Sequence, residues 1–73
     1  MTKLNIIGSQ VRALRKSQKL TQEELATKCN LLGFDVSRST LAKIEAEIRQ
    51  VTDIELFIIA KALNININQL FII

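Results

Sequence analysis

The sequence lacks residue types on which many enzymes depend. It contains no histidine, so a serine or cysteine nucleophile activated by histidine cannot be built, and no imidazole is present to bind a metal. The two glycines, Gly8 and Gly33, do not form a glycine-rich phosphate loop. We therefore predict a protein that is not an enzyme and that needs no metal or other cofactor.

Cysteine is nearly absent as well. Cys29 is alone, so no disulfide can form within the chain, and a single thiol is typical of a reducing compartment. No stretch approaches the roughly 18 consecutive apolar residues of a membrane-spanning helix. Residues 1–5 show no pattern of a secretory signal. We expect Cys29 to be buried in a cytoplasmic protein that does not associate with membranes.

Proline is also absent, and 48% of the 73 residues are hydrophobic. This composition predicts one compact helical domain spanning residues 1–73. The net charge of +3 is unevenly placed, because residues 1–20 contain five cationic side chains and no acidic one. Such a surface suits phosphate binding, but solvated cations on a helix give the same pattern, and charge alone leaves both readings open. The five cations are Lys3, Arg12, Arg15, Lys16 and Lys19.

Apolar residues recur every three or four positions, which predicts five short helices and no strand. We place them at about residues 6–18, 22–32, 38–48, 53–63 and 67–72. Thr21 and Thr52 are each followed three residues later by glutamate, the spacing of a capping box. Ser37 is an N-cap for the third helix, and Asn66 with Gln69 repeats the box in amide form.

Two segments carry a recognisable pattern: TQEELA at residues 21–26 and SRSTLAKIE at residues 37–45. Together with LRK at 14–16 and IAKAL at 59–63, they resemble the Cro and phage-repressor superfamily of XRE-like helix-turn-helix proteins. The resemblance implies an all-α, five-helix, lambda-repressor-like domain that sets helix 38–48 in the major groove of DNA. It also implies a sequence-specific transcriptional regulator that binds duplex DNA as a homodimer, and we expect a repressor.

The resemblance also implies which side chains read bases. Arg38 matches a base-reading position, and its guanidinium can bond O6 and N7 of one guanine together. Thr40 offers a methyl group to thymine, although a role in the local helix cap explains it equally well. The expected base-contacting residues are Arg38, Ser39, Thr40 and Lys43.

Further roles concern phosphates and an ion pair. Gln22 matches a phosphate-contacting position, though glutamine also simply suits the start of a helix. In the family, an arginine matching Arg15 often pairs with a glutamate matching Glu45, so we expect this pair to support the third helix rather than DNA contact by Arg15. The expected phosphate contacts are Gln22, Lys16, Lys19 and Arg49.

Three departures from the family pattern lead to local expectations. The link from Ala26 to Ser37 is longer than usual by about five residues, so we expect a longer second helix, with Leu32 and Phe34 folded onto the core. Residues 46–47 replace a usual glycine, which favours continuing the third helix and displacing Arg49. Lys19 also replaces a glycine, so it must adopt a left-handed conformation or the first helix must end differently.

The fourth helix is apolar nearly all round, which predicts a homodimer. One face needs a second cover, and either a partner copy or the fifth helix of the same chain could supply it. The expected interface residues are Ile54, Phe57, Ile58, Phe71, Ile72 and Ile73. The main alternative function is an antitoxin-like module that binds a protein partner and uses DNA binding for autoregulation.

Overall fold

The computed structural model of the chain describes residues 2–71, which contain four α-helices and a terminal 3-10 helix. The all-α class is confirmed. The α-helices are each one to several residues shorter than predicted, and the fifth segment is a 3-10 helix rather than an α-helix. In order, the elements are α1 (Gly8–Ser17), α2 (Gln22–Leu31), α3 (Arg38–Glu45), α4 (Asp53–Ala62) and the 3-10 helix (Ile67–Phe71).

The core lies where α3 meets α1 and α2, and where α4 meets α2 and the 3-10 helix. Cys29 is buried there, and burial raises the pKa of its thiol to about 11, so the thiol stays protonated at neutral pH. Within residues 2–71, no helix is both long and apolar enough to cross a bilayer. The largest fully buried side chains are Leu25, Leu41, Ile44, Ile59, Leu63, Leu70, Val11 and Cys29.

The predicted starts of α2, α3 and α4 are confirmed by their caps, while α1 begins two residues later than predicted and has no side-chain cap. Thr21 Oγ1 accepts a hydrogen bond from Glu24 N at 3.0 Å, and Glu24 Oε1 accepts one from Thr21 N at 2.8 Å. The hydrogen bond that the Thr21 backbone donates to the carboxylate is the main cause that lowers the pKa of the Glu24 carboxyl. Thr52 and Glu55 form the same box at the start of α4. Because each box closes within four residues, the local sequence is enough to set the start of the helix.

The lengthened link after α2 is held by one asparagine. Asn30 Nδ2 donates to the carbonyl oxygens of Phe34 at 2.9 Å and Val36 at 3.0 Å, and both of those side chains are buried. The expected burial of Phe34 is therefore confirmed. The expectation for Leu32 is wrong, since α2 ends at Leu31 and leaves Leu32 exposed.

The expectation that α3 continues to residue 48 is wrong. The helix ends at Glu45, Ala46 is its C-cap, and Glu47 has a left-handed φ of 64°. The N-terminal segment holds this turn, because Leu4 N donates to Glu47 O at 3.0 Å and Lys3 Nζ lies 3.1 Å from Glu47 Oε1. The hydrogen bond from Lys3 is the main cause that lowers the pKa of the Glu47 carboxyl. As a result, Ile48 lies beyond α3 and its side chain is exposed.

At the junction after α1, Lys19 takes the first of the two expected alternatives. This residue has a φ of 60°, in the left-handed region that the usual glycine would adopt easily. Leu20 N donates back to Arg15 O at 3.1 Å, so the turn closes the C-terminal end of α1.

Candidate nucleic-acid interface

Helix α3 has one buried face and one exposed face. Leu41, Ile44 and Glu45 are buried against the rest of the domain. Arg38 and Ser39, in the first turn, and Lys43, one turn later, are all exposed to solvent. The structure therefore brings three of the four expected base-contacting residues together on the outer surface of one helix.

Thr40, the fourth expected base-contacting residue, lies within the cap of α3. Its backbone nitrogen donates to Ser37 Oγ at 3.1 Å, and its hydroxyl accepts a hydrogen bond from Ser37 Oγ at 3.0 Å. Thr40 is half-buried, so its hydroxyl is engaged by Ser37 rather than presented outward with Arg38.

A buried ion pair fixes α3 against α1. Arg15 Nε lies 2.7 Å from Glu45 Oε2, and Arg15 Nη2 donates to Glu45 Oε1 at 3.1 Å. Only 9% of the Arg15 side chain and 3% of the Glu45 side chain are exposed. Arg15 Nη1 also donates to the Leu20 carbonyl at 2.7 Å. This bidentate pair holds α3 in place from its buried face, opposite the exposed side chains of Arg38, Ser39 and Lys43.

Gln22, the first residue of α2, joins this pair. Its Nε2 donates to Glu45 Oε1 at 3.1 Å, so the start of α2 is tied to the end of α3. Beside these groups lies an open cleft of about 230 Å³. The cleft is lined by Arg12, Arg15, Gln22, Ala42, Glu45 and Ala46.

Two helices linked in this way, with the second presenting its first turns outward, form the arrangement of a helix-turn-helix. Residues 11–70 match the helix-turn-helix family of the XRE type. The chain belongs to this family. The expected resemblance is confirmed, and a helix-turn-helix chain of this type is a DNA-binding transcriptional regulator, not an enzyme.

The helix-turn-helix domain is also similar to a solved structure, the restriction-modification controller protein C.AhdI from Aeromonas hydrophila. The two chains are 31% identical, and their structures superpose with a TM-score of 0.79. The match covers 89% of this chain and 87% of that chain. No match was found among the curated proteins.

The three cationic residues that were expected to contact phosphates do not share one environment. Lys16 and Lys19 are exposed near the end of α1. Arg49 is instead paired with Glu55, its Nη1 lying 3.1 Å from Oε1. Hydrogen bonding from Arg49 is the main cause that lowers the pKa of the Glu55 carboxyl. Arg49 lies four residues after the end of α3, and its pair with Glu55 holds it beside the start of α4.

The outer face of α4 is exposed and apolar at two of its three expected interface positions. Ile54 is 69% exposed and Phe57 is 54% exposed, while Lys61 Nζ lies 5.3 Å from the centroid of the Phe57 ring. Ile58 differs from the expectation, because it is half-buried and packs against the core. Phe71 is exposed. The expected interface residues Ile72 and Ile73 lie outside the described residues.

Sequence reasoning did not identify Asn5, a residue that supports the helix-turn-helix. Asn5 Nδ2 donates to the carbonyl oxygens of Ile44 at 3.0 Å and Arg49 at 2.9 Å, and Asn5 Oδ1 accepts from Gly8 N at 2.8 Å. It thereby joins the start of α1 to the end of α3. No local pattern signals this role, because the two carbonyls are 39 and 44 residues away.

Sequence reasoning also left out Arg12, which it counted only as part of the basic segment. Arg12 lines the cleft beside Gln22. Within residues 2–71, no group of three His, Cys, Asp or Glu side chains lies close enough to hold a metal ion.

Proposed function

We propose that the chain is a sequence-specific regulator that binds duplex DNA as a homodimer in the cytoplasm and represses transcription by occupying a promoter. The observation that supports this most directly is the two-sided character of α3. Its buried face is fixed by the Arg15–Glu45 pair, while Arg38, Ser39 and Lys43 are exposed on the other side. A major groove about 12 Å wide admits one helix, and residues in the first turns reach base edges.

In this proposal Arg38 reads a guanine, because its guanidinium can donate to O6 and N7 together. Ser39 and Lys43 contact neighbouring base edges. Thr40 is left with a contact through its methyl group, since its hydroxyl is engaged in the cap. The alternative contact for Lys43, one turn further along α3, is a phosphate at the edge of the groove.

Phosphate neutralisation supplies much of the affinity and makes it fall with rising salt. We assign phosphate contacts to Lys16 and Lys19, near the end of α1, and to Gln22, the first residue of α2. The ion pair with Glu55 offsets the charge of Arg49, so we expect the smallest phosphate contribution from this residue.

We expect Arg38→Ala to lose preference at one base pair in each half-site. The bidentate contact with guanine is worth about 1–3 kcal/mol, or roughly 5-fold to 150-fold in discrimination. The measurement is selection from randomised duplex DNA followed by sequencing, performed for the wild type and the variant at two salt concentrations. Lys28→Ala is the matched control, because it removes an exposed cation near the other end of α2.

An inverted repeat enriched by the wild type and by Lys28→Ala, but altered at one position by Arg38→Ala, would support the proposal. Salt-sensitive binding without sequence preference would overturn base reading by α3. An antitoxin-like role with a protein partner would then be the next hypothesis to examine.

We expect the wild type to be a dimer at micromolar concentration and Phe57→Glu to shift it toward the monomer. The carboxylate introduced at this exposed apolar position would have to be desolvated in a two-fold interface. It would also lie near the same carboxylate of the partner protomer, which would repel it. Sedimentation velocity over a dilution series measures the change, which we expect to be at least tenfold in the dissociation constant. Leu31→Glu is the control, because Leu31 is 82% exposed at the end of α2, away from the proposed interface. A monomeric wild type at these concentrations would remove the dimer from the proposal.

A further inference from the structure

We propose that the cleft beside α3 binds one phosphate of the DNA backbone and that Arg12 is its main donor. This inference rests on the proposed binding of duplex DNA: it places the phosphate contact of Gln22 in this cleft and adds Arg12, to which no DNA contact was assigned. The cleft lies between α1, the first residue of α2 and the end of α3. Its position, its shape and its charge each support the assignment.

The position of the cleft follows from the spacing along α3. Arg38, Ala42 and Ala46 are four residues apart, so they form one stripe along the side of the helix. The stripe begins at the proposed base contact and ends at the wall of the cleft. When a helix lies in the major groove, the phosphates of the flanking strands lie along its sides. The cleft is therefore on the side where a phosphate follows the base that Arg38 reads.

The shape of the cleft depends on small residues. Ala42 and Ala46 form the wall on α3, and neither carries a side chain long enough to fill the space. The volume of the cleft, about 230 Å³, is several times the roughly 30 Å³ that one water molecule occupies, so a phosphate group fits. Longer side chains at these two positions would close the cleft.

The charge of the cleft comes from Arg12. The charge of Arg15 is offset by Glu45, with which it makes two hydrogen bonds. Arg12 forms no ion pair or side-chain hydrogen bond with any of residues 2–71, and its side chain is exposed beside the cleft. Its guanidinium can donate two parallel hydrogen bonds to phosphate oxygens, a geometry that a lysine cannot match.

Gln22 supplies a second donor. One hydrogen of its Nε2 amide is used by Glu45 Oε1, and this bond holds the side chain at the edge of the cleft. The same nitrogen retains a second hydrogen for a phosphate oxygen. The buried Arg15–Glu45 pair thus positions Gln22, while Arg12 supplies a positive charge that no acidic side chain in the described part of the chain offsets.

The test measures DNA affinity by fluorescence anisotropy across a salt series, on a duplex selected by the wild type. We expect Arg12→Ala to bind about tenfold more weakly near 100 mM salt, with a salt slope reduced in magnitude by about one. Sequence preference should stay unchanged. Arg12→Lys should recover the slope but not the full affinity. Lys28→Ala, which removes an equal charge elsewhere, should change affinity less than twofold.

A second arm leaves every charge in place. Ala46→Leu would fill the cleft at an exposed position, and we expect it to weaken DNA binding about as much as Arg12→Ala while the circular dichroism spectrum stays helical. A third arm replaces single phosphates of the duplex by neutral methylphosphonates. One such replacement beside each half-site should weaken the wild type several-fold and have little effect on Arg12→Ala.

Three results would overturn the inference. The first is that Arg12→Ala matches Lys28→Ala in affinity and salt slope. The second is that Arg12→Ala alters sequence preference. The third is that every methylphosphonate weakens DNA binding by Arg12→Ala as much as it weakens binding by the wild type. Failure of the broader proposal looks different: a wild type without sequence preference would refute base reading, yet the effect of Arg12→Ala on affinity and salt slope, measured on any duplex against Lys28→Ala, would still decide the phosphate site. A wild type that does not bind duplex DNA would refute both.

Discussion

Gly8→Ala should lower the melting temperature by roughly 10–20 °C, although alanine is the better helix former by about 1 kcal/mol. An added Cβ would overlap the carbonyl oxygen of Ile44 and would lie 2.9 Å from the carbonyl oxygen of Glu45. Both are backbone atoms of α3, which cannot rotate away as a side chain can. Overpacking of this kind costs about 1–3 kcal/mol or more, because the helices must separate.

The separation would also affect the proposed interface. Gly8 allows α1 to approach the end of α3, and Asn5 bonds to both elements at this point. Moving α1 would shift the orientation of α3 relative to α2. We therefore expect weaker DNA binding by Gly8→Ala even under conditions in which it remains folded.

Thermal unfolding followed by circular dichroism, at one fixed protein concentration, checks the Gly8 prediction. Gly33→Ala is the matched control, because it makes the same chemical change where a Cβ would meet nothing within 4 Å. Gly33 has a φ of 99°, so its replacement costs backbone strain without a clash. Gly8→Ala should be the more destabilised variant. Equal or higher stability than the wild type would contradict the packing argument.

Arg15→Met should lower the free energy of unfolding by about 3–5 kcal/mol. Methionine keeps the length of the apolar stem but removes the guanidinium. Among residues 2–71, this leaves the buried Glu45 carboxylate with Gln22 as its one hydrogen-bond partner. The carbonyl of Leu20 also loses its side-chain donor. A buried charge without its partner is costly, since the protein interior solvates it poorly.

A double-mutant cycle in chemical denaturation separates the pair from its surroundings. The variant carrying both Arg15→Met and Glu45→Leu should be more stable than the sum of the single changes predicts, because no isolated charge remains buried. Arg49→Met is the control, since its pair with Glu55 is more exposed and should contribute no more than about 1 kcal/mol. Unchanged stability of Arg15→Met together with lost DNA binding would show that Arg15 contacts DNA instead.

The starts of α2, α3 and α4 could be predicted because the signal for each is local. Thr21, Ser37 and Thr52 all accept a hydrogen bond from a backbone nitrogen three residues later, so a few residues of sequence contain the whole interaction. The left-handed conformation of Lys19 was one of two alternatives that the sequence left open, because Lys19 stands where the family usually has glycine. The family and the exposed face of α3 followed from the same segments.

The extent of α3 was not predictable from local sequence. Residues 46–47 favour a helix by propensity, but contacts from Lys3 and Leu4 hold Glu47 in a left-handed turn. That turn exposes Ile48 and places Arg49 beside Glu55. Local preferences of a few tenths of a kcal/mol per residue are smaller than several tertiary bonds acting together.

The sequence by itself determined the helical class, the starts of α2, α3 and α4 and the positions of the side chains expected to meet DNA, because periodicity and capping act within one turn. Only the tertiary structure decided where α3 ends and how Arg12, Gln22 and Ala46 gather around one cleft. Contacts between residues far apart in the chain depend on how the helices pack, and no short segment contains that information.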